Sequence, residues 1–144
     1  MKQQINLIDI IYQNLKTNNN ENKISELHCQ KIIFFVVGLF YKKFRKNLID
    51  DLDFRAWKYG IVEINYHNFF KTNNPVYQDV YDCFLTNEEQ QYLNDTVKIF
   101  CNQSPWALVE LSHMSYAWWA NKESGNKAIN IKDIYDSFDN FLIN

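Results

Sequence analysis

The run IIFFVVGLF, Ile32 to Phe40, carries no polar side chain and constrains the fold more than any other stretch of the chain. A helix apolar on every side cannot show a face to water, so it lies inside a protein or a membrane. A membrane span takes about 20 predominantly apolar residues. This run is closed by Lys31 on one side and by Lys42, Lys43, Arg45 and Lys46 on the other. A buried core helix over Leu27 to Tyr41 follows, capped by Ser25 and fraying near Arg45 or Lys46. Phe34, Phe35, Val36 and Val37 would suit a buried strand, but the segment is longer than the roughly 4 to 8 residues usual for one.

The remaining amphipathic pieces must wrap this rod. With 144 residues the chain is most simply one domain, 1–144, long enough to form a core without staples. Gly (3) and Pro (2) are scarce, so hairpins should be few and helices favoured. The expected fold is mainly α, a compact bundle of about five to six helices around Leu27–Tyr41. Ile5, Ile8, Ile11, Tyr12 and Leu15 give a first amphipathic helix, ended by the polar run Thr17 to Asn22. Leu48 to Val62 loses helical period and carries Gly60, which predicts a turn with short extended pieces near residues 48–63. Ile64 to Phe70 reads as a short helix, followed by a loop from Lys71 to Pro75.

Thr86 with Glu89 forms a capping box, so a helix starts there and runs to about Asn102. Ser104 followed by Pro105 starts the next, which the pattern carries as one helix to Ser124 or Gly125. Asn130 caps a last helix, Ile131 to Phe141, with the stripe Ile131, Ile134, Tyr135, Phe138, Phe141 and Leu142.

Catalytic patterns are scarce. Cys29 adjoins His28, but neighbouring helical side chains diverge by about 100°, so the pair does not grip a metal and no metal site is expected. Ser112 and His113 fail as nucleophile and base by the same geometry. His113 reads first as an imidazole that hydrogen-bonds a loop backbone and ties two segments together. No phosphate-cradling glycine loop occurs, and no cofactor is implied. Asp50, Asp51 and Asp53 read as a solvated loop. Trp106, Trp118 and Trp119 are core by default, although two adjacent Trp cannot both face one narrow stripe, so one of them lies at a seam or contact surface.

A net charge of −2 does not favour nucleic acid as a partner, and Lys42 to Lys46 reads as a solvated helix end whose cations complement the dipole. Cys29, Cys83 and Cys101 are odd in number and never in a CxxC pair, which suits a reducing compartment. The N-terminus lacks the continuous apolar region of a secretory signal, so a cytoplasmic protein without a membrane partner is expected.

Several ordered segments resemble the Panacea domain, the family of SocA-like antitoxins and GepA-type phage-associated proteins. LHCQKIIFFVVGLFYKK is similar to its early helix, with Gln30 and Lys31 on the Gln-Lys positions. FRAWKYGIVEINYHNF resembles its second segment through Ala56, Trp57, Gly60, Val62 and Tyr66. ALVELSHMSYAWWAN matches a third through Leu111, Ser112, His113 and Trp118, and IKDIYDSF resembles the terminal helix. Together these span about residues 24–141. Two corners depart, with Ile61 and Ala117 standing where the family has proline, which softens both.

The resemblance implies a helical, non-enzymatic module that neutralises a toxin by binding it, and in the SocA case hands it to a protease. The alternative is a phage or mobile-element protein that inhibits a host defence protein. A hydrolase using His113 with Asp50, Asp51 or Asp53, and DNA binding through Lys42 to Lys46, are the readings from other classes. The resemblance points to Trp57, Tyr59, Gly60, His113, Trp118 and Trp119 as the partner-binding surface.

Overall fold

The computed structural model describes residues 3–19, 25–72 and 82–139. Strand β1 (Gln3–Asn6) leads into helix α1 (Leu7–Asn19), and α2 (Glu26–Phe44) follows. Strands β2 (Phe54–Trp57) and β3 (Gly60–Glu63) then precede α3 (Ile64–Lys71) and β4 (Asp82–Leu85). Helices α4 (Asn87–Cys101), α5 (Pro105–His113), α6 (Tyr116–Asn121) and α7 (Ile131–Asp139) complete a mostly helical fold.

Helix α2 is the axle. The Ser25 hydroxyl accepts from the His28 amide at 3.2 Å. At the other end Arg45 takes a left-handed conformation (φ 54°) and returns its amide to Tyr41 O, which closes the helix within the basic run. Every residue from His28 to Phe40 is buried. The Phe34 ring meets Phe54 at 6.3 Å and Phe138 at 5.1 Å, while Phe35 stacks on Phe100 at 5.0 Å. Aromatic pairs at such separations add to area burial, and here they fix β2, α7 and α4 to the axle. Gly38 permits the closest approach: a Cβ there would lie 2.0 Å from the Phe138 ring.

Three expectations change and one is borne out in more detail. Ile5 belongs to β1, not to the first helix, and pairs with Cys83 in an antiparallel ribbon running from Gln3↔Leu85 to Asn6↔Asp82. Asn6 is the reason, because its Oδ1 accepts from the Asp9 amide at 3.1 Å and starts the helix at Leu7. The turn with short extended pieces expected near residues 48–63 is there, and the pieces pair as a hairpin, Phe54↔Glu63 to Trp57↔Gly60, with Lys58 and Tyr59 at its tip.

The single helix expected from Pro105 is two, which makes seven helices among the described residues. Ser115 is extended (φ −77°, ψ 144°) and its hydroxyl caps the Trp118 amide, so it ends one helix and begins another. Trp106 is not core but 59% exposed.

The caps at Ser104 and Thr86, with Glu89 completing the box, are as expected, and Asn130 Oδ1 accepts from the Lys132 amide at 3.0 Å. Phe141, Leu142 and residues 73–75 lie outside the described residues. No helix among the described residues is long and apolar enough to cross a membrane.

Candidate functional site

The hairpin is held to the axle by polar side chains of α2 buried one turn before its apolar run. Gln30 lies beside β3 as a neighbouring strand would: its Nε2 donates to Glu63 O and its Oε1 accepts from Glu63 N, both at 2.9 Å. Lys31 Nζ donates to Ile61 O at 2.8 Å. Burial pushes the Lys31 ammonium down to about 7, against the upward pull of Glu26. Glu63 is itself buried; its carboxylate accepts from the amides of Asp53 (2.7 Å) and Tyr66 (2.8 Å) and so caps α3. Its pKa is raised because burial outweighs these hydrogen bonds.

Helices α5 and α6 also clasp the tip. His113 Nε2 lies 3.1 Å from Lys58 O, and since a carbonyl only accepts, this nitrogen carries the proton. Trp118 Nε1 donates to Trp57 O at 2.8 Å, and the His113 and Trp118 rings stack at 4.0 Å. Gly60 is required twice over. Its φ of +115° suits no side chain, and a Cβ there would stand 2.5 Å from Ser112 Oγ and 2.9 Å from Lys31 Nζ.

The six residues nominated from the sequence therefore meet at one place, with a division of labour. Gly60, His113 and Trp118 fasten the tip. Trp57 is half-buried, donating Nε1 to Asn126 Oδ1 at 3.0 Å and meeting the His67 ring edge-on at 5.0 Å. Tyr59 and Trp119 face solvent, 46% and 59% exposed.

Sequence reasoning missed Trp106, whose ring meets Tyr59 edge-to-face at 5.6 Å. It also missed Lys122, whose ammonium sits 3.7 Å from the Trp119 ring centroid. The spacing of Trp106 and His113, two turns apart on one helix face, was the available signal. Between α2 and the hairpin opens a cleft of about 320 Å³ with Leu27, Trp57, Tyr59 and Val62 in its walls.

The catalytic readings find little geometry. The imidazole of His113 addresses Lys58 O, not Asp50, Asp51 or Asp53, and Asp53 is bound through both oxygens by Arg55 at 3.2 and 3.0 Å. His28 Nε2 hydrogen-bonds Gln103 O at 2.9 Å, turning it away from Cys29. Burial pushes the Cys101 thiol up to about 12 and the Cys29 thiol well above its usual value, so neither forms a ready nucleophile. No group of three metal-ligating side chains exists among the described residues. In the basic cluster, Lys46 pairs with Glu89, Arg45 with Asp139 at 2.9 Å, and Lys43 lies 5.4 Å from the Tyr92 ring centroid.

The stretch from α2 through the clasp is also what comparison with known families picks out. Residues 29–119 match the model of the antitoxin SocA-like Panacea domain. The chain belongs to that family. No curated protein and no solved structure matches it. The matched span begins at Cys29 in α2 and ends at Trp119 in α6, so it takes in the Gln30 and Lys31 anchors, the hairpin and both clasping helices, and leaves out α7. Panacea membership supports an antitoxin-type role with a protein such as a toxin as its counterpart, and favours a non-catalytic one.

Both proline positions of the Panacea resemblance now have a physical description. Ile61 and Ala117 are buried and each brings an amide that proline lacks. A serine hydroxyl meets each amide, Ser112 Oγ at 3.4 Å from Ile61 N and Ser137 Oγ at 2.8 Å from Ala117 N.

Proposed function

We propose that this protein, acting as one helical unit, neutralises a toxin by binding it directly through the hairpin tip and the α5–α6 face, without turning over a substrate. The observation that carries this reading is the set of exposed rings, Tyr59, Trp106 and Trp119, standing on a clasp whose other members are spent on hydrogen bonds to the hairpin backbone. Exposed aromatics on a rigid base are the usual anchors of protein interfaces, because they bury much area and lose little conformational freedom. The imidazole held on Lys58 O supports a fastening rather than a catalytic role for His113.

Co-expression with each neighbouring reading frame is the test. One neighbour is expected to be toxic alone, to be neutralised by this protein and to co-purify with it. Trp119→Ala should abolish neutralisation while leaving thermal unfolding nearly unchanged, since surface substitutions usually stay within about 0.5 kcal/mol. Trp57→Ala should weaken binding by more than it lowers stability. Neutralisation that survives Trp119→Ala, or the absence of any toxic neighbour, overturns the reading. Delivery of the bound toxin to a protease is a separate step, and pulse-chase decay of the toxin with and without this protein decides it.

A further inference from the structure

Within the partner-binding reading, the cleft beside the hairpin has a chemistry of its own. Its volume of about 320 Å³ stands at the small end of ligand pockets, room for one large side chain. Its walls are apolar, formed by Leu27, Trp57, Tyr59 and Val62. The polar groups in its floor are already committed, Gln30 to both backbone atoms of Glu63 and Lys31 to Ile61 O, so a purely polar guest finds little to bind.

The charge balance around the cleft is positive. Its one carboxylate, Glu26, is engaged by His67 at 2.6 Å. Lys58 stands exposed at the rim with its ammonium 5.3 Å from the Tyr59 ring centroid, and Lys31 lies beneath.

We infer that this cleft receives an apolar side chain of the partner protein that has a carboxylate beside it, the hydrocarbon entering between Leu27 and Trp57 and the carboxylate meeting Lys58. The inference rests on the proposed binding role and adds the kind of segment bound. An arriving carboxylate also favours the charged form of Lys31, which burial, against the upward pull of Glu26, has brought down to about 7, so acidic guests bind more tightly as the pH falls through that range.

Three blocked pentapeptides centred on Asp-Phe-Asp, Lys-Phe-Lys and Asp-Ala-Asp, with benzoate as a fourth ligand, test this on the full chain. The indole N–H resonances of the four Trp are followed during titration. The Asp-Phe-Asp peptide should move the Trp57 signal more than that of Trp119 and bind at least tenfold more tightly than the other two. Lys58→Glu should reverse the charge preference, and Leu27→Lys should abolish the Trp57 response in a protein that still unfolds cooperatively. No response at Trp57, a response indifferent to charge, or tighter binding of benzoate than of any peptide overturns the inference, the last making the cleft a small-molecule site.

Toxin neutralisation separates the two readings. If Leu27→Lys still neutralises and Trp119→Ala does not, the aromatic face stands and the cleft falls. Should no neighbour bind while Asp-Phe-Asp occupies the cleft as described, the cleft stands and the toxin reading falls.

Discussion

The two halves of α2 are equally buried and do different work. From Ile32 to Phe40 the helix presents only hydrocarbon, and its contacts are ring against ring, as Phe34 has with Phe54 and Phe138. From His28 to Lys31 it buries polar side chains, three of which end on named backbone atoms: Gln103 O, Glu63 N and O, and Ile61 O. Apolar burial is non-directional and tolerates small shifts. A buried amide or ammonium fixes distance and angle, because leaving it unpaired is costly. One half thus sets how stable the fold is, and the other sets where the hairpin tip stands.

Substitutions that separate the two halves should have different signatures. Phe34→Ala deletes the ring at the centre of the aromatic cluster and should cost about 3–5 kcal/mol in urea unfolding, enough to unfold a domain of ordinary stability. In whatever fraction remains folded, the indole signal of Trp118 should be near that of the wild type. Gln30→Ala leaves both backbone groups of Glu63 without their partner, at roughly 1–3 kcal/mol each. Here the damage should be local: amide exchange should quicken across β2 and β3 while the protected core of α4 and α7 holds. Equal loosening everywhere after Gln30→Ala would erase the distinction between the halves.

The same difference explains what could be read from the chain alone. The axle, the caps at Ser25, Thr86 and Ser104, and the stripe of α7 follow from apolar period and local capping chemistry, which act within a few residues. The anchors do not, because the bonds of Gln30 and Lys31 join residues 33 and 30 positions apart and no period signals them. The β1–β4 ribbon was hidden for a similar reason: Ile5 fits the helical stripe of Ile8 and Ile11, and only its pairing with Cys83 makes it a strand. The break at Ser115 was legible in principle. A serine inside an apolar pattern competes for the backbone, and this one caps Trp118. The six candidate site residues converge on the hairpin tip, and the sequence already read His113 as an imidazole tying a loop backbone, as its bond to Lys58 O shows, yet it did not tell the fastener Trp118 from the exposed ring of Trp119.

Lys31 offers a sharper test because its signature is a slope. In the folded protein its ammonium loses its proton near pH 7, against about 10.5 when unfolded. Between those values the unfolded chain holds more protons, so stability rises with pH, by at most about 1.4 kcal/mol per unit. The useful window is pH 7 to 8.5. Above the ordinary thiol value of 9.0, Cys29 and Cys101, both raised by burial, ionise first in the unfolded chain and pull stability down again. Urea midpoints should climb through this window for the wild type and stay flat for Lys31→Met, whose baseline also reflects the lost bond to Ile61 O. A wild-type profile as flat as that of the variant means the ammonium is solvated, and the polar half of α2 then resembles an ordinary helix end.

The smallest effect tests whether backbone locking extends beyond α2. Ala117 sits in the first turn of α6, where proline is tolerated because no intrahelical partner awaits the amide. Its buried N–H instead donates to Ser137 Oγ, which donates in turn to Asp133 O at 2.9 Å, so α6 and α7 are joined through one hydroxyl. Ser137→Ala strands that amide and should cost about 1–3 kcal/mol. Ala117→Pro removes the N–H altogether, so in its presence Ser137→Ala should cost well under half as much, and the coupling in a double-mutant cycle should exceed 0.5 kcal/mol. If the two costs simply add, the 2.8 Å contact contributes no net stability and directional locking is confined to the first turns of α2. If they couple, this chain replaces a rigid proline corner with a hydrogen bond, and α7, which lies beyond the matched family span, becomes part of what holds the clasp in place.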